Sequence, residues 1–72
     1  MSFGTVVKHV RIQLGFSQEQ LARELNISFS TINRWENGKS RPSQMAKELF
    51  YAFCKNNKID INSVPKGDDV ND

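Results

Sequence analysis

The 72-residue sequence predicts an all-α fold, a compact bundle of four to five short helices, and three observations carry that expectation. Apolar residues recur at steps of three and four along most of the chain. A serine stands at the start of three of these stretches (Ser17, Ser28 and Ser43), where its hydroxyl can accept a free first-turn amide. No segment shows the strict alternation of a half-buried strand.

In chain order, Phe3, Val6, Val7, Val10 and Leu14 line one face of a helix over about residues 3–14, and Gly15 supplies the left-handed residue that ends it. Ser17-Gln18-Glu19-Gln20 is a capping box, with Phe16 and Leu21 placed to staple across it. The second helix turns Leu21, Ala22 and Leu25 inward and stops at Asn26, a residue that tolerates the left-handed conformation. Ile27-Ser28 repeats this logic, with Ile27 stapled to Ile32, and opens a third helix that closes before Gly38. Lys39-Ser40-Arg41-Pro42 is a polar loop. Ser43 caps a fourth helix, whose expected inward stripe is Met45, Ala46, Leu49, Ala52 and Phe53, leaving Phe50, Tyr51 and Cys54 beside it. Asn56, Asn57 and Lys58 break the helix. Ile59, Ile61 and Val64 could add a fifth turn over the core, but so short a run has too little periodicity to decide. The expected domain is therefore residues 1–64, followed by a disordered acidic tail over 65–72.

The net charge is +2. Residues 1–60 hold nine Lys and Arg against five Asp and Glu, whereas residues 61–72 hold one Lys against three Asp, so the basic excess belongs to the domain. Such a surplus suits a polyanionic partner without demanding one. Cys54 is the sole cysteine, which rules out an internal disulfide and fits a reducing compartment. No apolar stretch approaches the roughly 20 residues of a membrane span and no leader pattern opens the chain, so a soluble, cytoplasmic protein is expected. His9 has no companion at metal-ligand spacing, Cys54 has no plausible His partner, and no glycine-rich phosphate loop exists. No metal, no cofactor and no enzymatic activity is expected.

The third helix carries the functional signal. At 100° per residue, Ser28, Ile32, Trp35 and Glu36 fall on one side, and Ser30, Asn33, Arg34 and Asn37 on the other. The second side offers a hydroxyl, a guanidinium and two amides, groups that match donor and acceptor patterns on base edges, and it holds no carboxylate. A merely solvated face is usually richer in Glu and Lys. Trp35 could stack on a single-stranded base, but its place beside Ile32 assigns it to the core.

The run Gln18-Glu19-Gln20-Leu21-Ala22-Arg23-Glu24-Leu25-Asn26-Ile27-Ser28-Phe29-Ser30-Thr31-Ile32-Asn33-Arg34-Trp35-Glu36-Asn37-Gly38 resembles the helix-turn-helix of the lambda-repressor-like family (Cro/C1-type, XRE), which includes phage repressors, Cro proteins and small bacterial regulators. Arg11-Ile12-Gln13-Leu14-Gly15-Phe16-Ser17-Gln18 upstream and Trp35-Glu36-Asn37-Gly38-Lys39-Ser40-Arg41-Pro42-Ser43 downstream extend the likeness over roughly residues 5–60. Asn26 departs from it, standing where the family usually has Gly.

The resemblance implies sequence-specific binding of double-stranded DNA by a transcriptional regulator, as a repressor, with the helix 28–37 in the major groove. By position, Phe29, Ser30, Asn33 and Arg34 match base-contacting residues. Gln18, on one side of that helix, and Asn37, Lys39, Ser40 and Arg41, on the other, match contacts to the phosphate backbone. Arg11 and Glu36 match a partly buried structural ion pair. The blander alternatives are a packed Phe29, ordinary exposed Ser30 and Asn33, a solvated loop at Lys39 and Arg41, and two independent charges at 11 and 36. The extra apolar residues of the fourth helix lead to the expectation of a homodimer, at least on DNA. The competing function is a protein-interaction module, such as an antitoxin or controller protein that bridges a partner.

Overall fold

A computed structural model describes residues 2–60. Four helices make up its regular structure, α1 (Phe3–Gln13), α2 (Gln18–Leu25), α3 (Phe29–Glu36) and α4 (Gln44–Asn56), and no strand occurs among the described residues. Ile61 and Val64 of the possible fifth turn, and the expected tail, lie outside the described residues.

Each helix begins on a serine in extended conformation whose hydroxyl accepts a backbone amide three residues on: Ser2 from Thr5, Ser17 from Gln20, Ser28 from Thr31 and Ser43 from Ala46. At α2 the box closes from both sides, because Gln20 Oε1 accepts the Ser17 amide at 2.7 Å.

The helix ends share one device as well. A left-handed residue follows each helix, Gly15 (φ 74°), Asn26 (φ 59°), Gly38 (φ 69°) and Lys58 (φ 59°). The next residue then donates its amide five positions back: Phe16 to the Arg11 carbonyl, Ile27 to Ala22, Lys39 to Arg34 and Ile59 to Cys54. This satisfies carbonyls that a helix terminus would otherwise leave open. Phe16, Ile27 and Ile59 then pack against the core. Thus Asn26 does in its turn what glycine does elsewhere, since its short polar side chain tolerates that conformation.

The core draws on all four helices: Phe3, Val7 and Val10 from α1, Leu21, Ala22 and Leu25 from α2, Ile32 and Trp35 from α3, and Phe50, Phe53 and Cys54 from α4. Phe3 meets the rings of Trp35 and Phe50 edge-on, with centroids 5.2 and 5.4 Å apart. Burial also pushes the Cys54 thiol up to about 11, so it stays protonated and serves as a small apolar side chain.

The inward face of α4 differs from the expected one. Phe50 and Cys54 are fully buried, while Met45 is 79% exposed, Leu49 41% exposed and Ala52 exposed. Two apolar stripes overlap on this helix, sharing Ala46 and Phe53. The one that includes Phe50 removes more apolar area from water and supplies the edge-on contact with Phe3.

Gly4 sets how closely α1 approaches α3. A Cβ at this position would lie 1.7 Å from the carbonyl oxygen of Trp35, an atom of the α3 backbone that has no flexible end to give way. Alanine normally favours a helix interior over glycine by about 1 kcal/mol. Here Gly4→Ala should reverse that sign and destabilise the domain by about 2–3 kcal/mol or more through overpacking. Urea denaturation measures the difference directly.

Candidate nucleic-acid interface

The construction of the site begins on the hidden side of α3. Ile32 and Trp35 are buried, which turns Ser30, Asn33, Arg34 and Asn37 away from the core. Ser30, Arg34 and Asn37 are exposed and Asn33 is half-buried. Phe29 is 48% exposed and lines a shallow groove with Glu19, Ala22, Arg23 and Ile27. The Ser30 hydroxyl lies 3.2 Å from that of the cap Ser28.

Glu36, the only carboxylate of α3, points inward. Arg11 on α1 donates Nε to its Oε2 at 2.7 Å and Nη2 to its Oε1 at 3.0 Å, a two-pronged pairing. The side chains are only 15% and 3% exposed. Arg11 also donates Nη1 to the Phe16 carbonyl at 2.9 Å, in the turn between α1 and α2. The hydrogen bond to Glu36 holds the guanidinium above its ordinary value, against the opposing effect of burial.

A chain of amides continues from this carboxylate across the outer surface. Gln18 Nε2 donates to Glu36 Oε1 at 3.0 Å, and Gln18 Oε1 accepts from Asn33 Nδ2 at 3.2 Å. Asn33 Oδ1 in turn accepts from Asn37 Nδ2 at 3.1 Å. Five side chains, Arg11, Glu36, Gln18, Asn33 and Asn37, therefore form one connected array that joins α1, the start of α2 and the second half of α3. The expected base-contacting set is divided by this arrangement. Phe29, Ser30 and Arg34 stand outside the array, whereas both ends of the Asn33 amide are engaged within it.

At the far end of α3, exposed Lys39 and Arg41 and half-buried Ser40 line a surface cleft of about 330 Å³ with Ser2, Phe3, Gly4, Trp35, Gly38 and Pro42. Beside the second half of α3, where Gln18 meets Asn33 and Glu36, the backbone amides of Gln18 and Glu19 open α2, and the helix dipole there favours an anion. A basic loop and a dipole-positive helix start thus both adjoin α3.

Sequence reasoning missed the amide chain. The spacing of Asn33 and Asn37, four apart on one helix face, was its only local sign. The missed contribution of Gly4 was signalled by a glycine placed in the first turn of an otherwise apolar helix.

Removing either partner of the Arg11–Glu36 pair should strand a buried charge at a cost of about 3–5 kcal/mol. Replacing both, as in Arg11→Met with Glu36→Leu, should cost much less than the two single changes together. A double-mutant cycle by chemical denaturation measures this coupling.

No described helix is long and apolar enough to cross a membrane. No solved structure matches the chain significantly. A family model described as helix-turn-helix matches residues 7–46, which runs from α1 through the whole of α2 and α3 to the first turn of α4 and takes in more than half of the sequence. With four capped helices, no strand among the described residues, and α2 and α3 joined by a left-handed turn, the chain belongs to the Cro/C1-type helix-turn-helix family (XRE family) of DNA-binding transcription regulators.

Proposed function

We propose that the protein is a sequence-specific regulator of transcription that inserts α3 into the major groove of double-stranded DNA and represses by occluding a promoter. The observation that carries this reading is the disposal of charge on α3. Its one carboxylate is turned inward and neutralised by Arg11, so the face that carries Ser30 and Arg34 presents no negative charge to a polyanion. Arg34 supplies the two parallel N–H groups that fit the O6 and N7 edge of guanine. Ser30 adds a donor and acceptor close by, and the open edge of Phe29 suits a thymine methyl. Gln18 with the α2 amides, and Asn37, Lys39, Ser40 and Arg41 beyond α3, take the phosphates on either side. The lone thiol, buried and protonated, suits a cytoplasmic setting.

The second partner in this proposal is another copy of the chain. One module buries about 600–1,000 Å² on DNA, which limits affinity, and two modules on half-sites about one helical turn apart overcome that limit. Met45 and Leu49, one turn apart on α4 and exposed, offer the apolar surface for such pairing. The same two residues support the rival reading, in which this surface docks a different protein, as an antitoxin or controller protein would. Sedimentation of the free and DNA-bound protein separates the readings: the proposal expects two chains on a two-part site, and one chain on one unrepeated site would defeat it.

Selection of duplexes from a random library tests recognition itself. A defined site should emerge, bound with a salt dependence of about −0.9 in log-log slope per phosphate neutralised. Arg34→Ala should relax discrimination at one base pair by about 1–3 kcal/mol, whereas Lys39→Ala should weaken every sequence alike and reduce the slope by about one. Equal affinity of the unaltered protein for all duplexes would overturn the proposal.

A further inference from the structure

We infer that Asn33 is a positioning residue and not a reader of bases: its amide ties Gln18 to Asn37 and so holds the two backbone-gripping flanks of α3 at a fixed spacing before DNA arrives. The inference rests on the DNA-binding reading and deepens it by assigning Asn33, which family position alone would place against a base, a different task.

The geometry supplies the argument. An amide carries two N–H donors and an oxygen with two lone pairs, so a pair of bonds, one through each end, fixes its plane without exhausting it. Asn33 Nδ2 donates to Gln18 Oε1 at 3.2 Å, and its Oδ1 accepts from Asn37 Nδ2 at 3.1 Å. To take up the two-point pairing with adenine through which asparagine reads a base, Asn33 would have to turn one N–H and one lone pair together toward the groove, and its bonds to Gln18 and Asn37 fix how its amide plane is turned. Gln18 is not free to follow if that plane turns. Gln18 is anchored on the Glu36 carboxylate at 3.0 Å, and Glu36 is gripped by Arg11 at two points. Asn33 is also half-buried, unlike Ser30 and Arg34. The chain leaves groups to spare at both of its ends. Gln18 keeps one Nε2 proton and its backbone amide, while Asn37 keeps its Oδ1 and one Nδ2 proton. Those spare groups lie at the two positions where the backbone contacts are proposed.

Ordering these side chains before binding removes part of the entropy cost of the complex, about the cost of immobilising two long side chains. That converts to an affinity loss of about 5- to 100-fold when the link is cut. Because phosphates are common to all sequences, the loss falls on every duplex equally.

The test compares unaltered protein and Asn33→Ala in two measurements. In the free unaltered protein, NMR order parameters for the side-chain NH₂ groups of Gln18, Asn33 and Asn37 should approach the rigid-backbone value of about 0.85, while exposed Gln13 stays below about 0.6. Asn33→Ala should lower those of Gln18 and Asn37 together. On DNA, the same substitution should weaken binding by about 5- to 100-fold on every duplex while the selected site keeps its preferences at all positions. Loss of preference at one base pair would make Asn33 a reader and overturn the inference. Mobile NH₂ groups in the unaltered protein would also overturn it. Unaltered protein that selects no site would refute the DNA-reading proposal instead, and the relay would then be judged by the order parameters alone.

Discussion

The Glu36 carboxylate governs more of this structure than any other single group. Placed at the last residue of α3, it receives Arg11 from α1 and Gln18 from the start of α2, so three helices converge on two oxygens. A carboxylate left unpaired at this depth would be costly, and the pairing is favourable because the fork of Arg11 matches it in shape and Gln18 fills a remaining lone-pair direction. The third donor of Arg11 goes to the Phe16 carbonyl, which binds the turn between α1 and α2 to the same point. Short helices have little stability of their own, and α2 and α3 hold only eight residues each. Their mutual orientation therefore depends on the apolar contacts beneath and on this polar tie at the rim.

The other boundary condition is steric. Gly4 lets the backbone of α1 lie against the last turn of α3, with the Phe3 ring edge-on to Trp35. From below, then, α3 is held by Ile32 and Trp35, at its end by the close approach at Gly4, and from the side by Glu36. What is left for solvent is a narrow strip with Phe29, Ser30 and Arg34 at its edge and the amides of Asn33 and Asn37 along it. The division of labour within that strip is a matter of which groups already have partners.

Helix positions and ends were legible in the sequence because they are written locally. The caps at Ser17, Ser28 and Ser43 lie within three residues of the amides they serve, and the stops at Gly15, Asn26 and Gly38 follow from residue type alone; the Ser2 cap was missed. The stop at Lys58 does not follow from residue type, since nothing in a lysine signals φ 59°; the residue after it, Ile59, packs against the core. The rotation of α4 escaped for a related reason. Its two overlapping apolar stripes differ little on a helical wheel, and only the ring of Phe3, on another helix, favours the one with Phe50. The outward placement of Ser30 and Arg34 followed from periodicity. The engagement of Asn33 could not follow from it, because Gln18 and Asn33 belong to different helices and meet only once the chain has folded.

The four left-handed stops also bear on how quickly the chain reaches this arrangement. Each turn is specified within six residues by hydrogen bonds such as those from Phe16 to Arg11 and from Ile27 to Ala22, so little loop-closure entropy is lost before those contacts form. Domains dominated by such near-neighbour contacts fold on the microsecond-to-millisecond scale. The connection from Arg11 to Glu36 spans 25 positions, so its loop-closure cost is larger than that of any of the four turns.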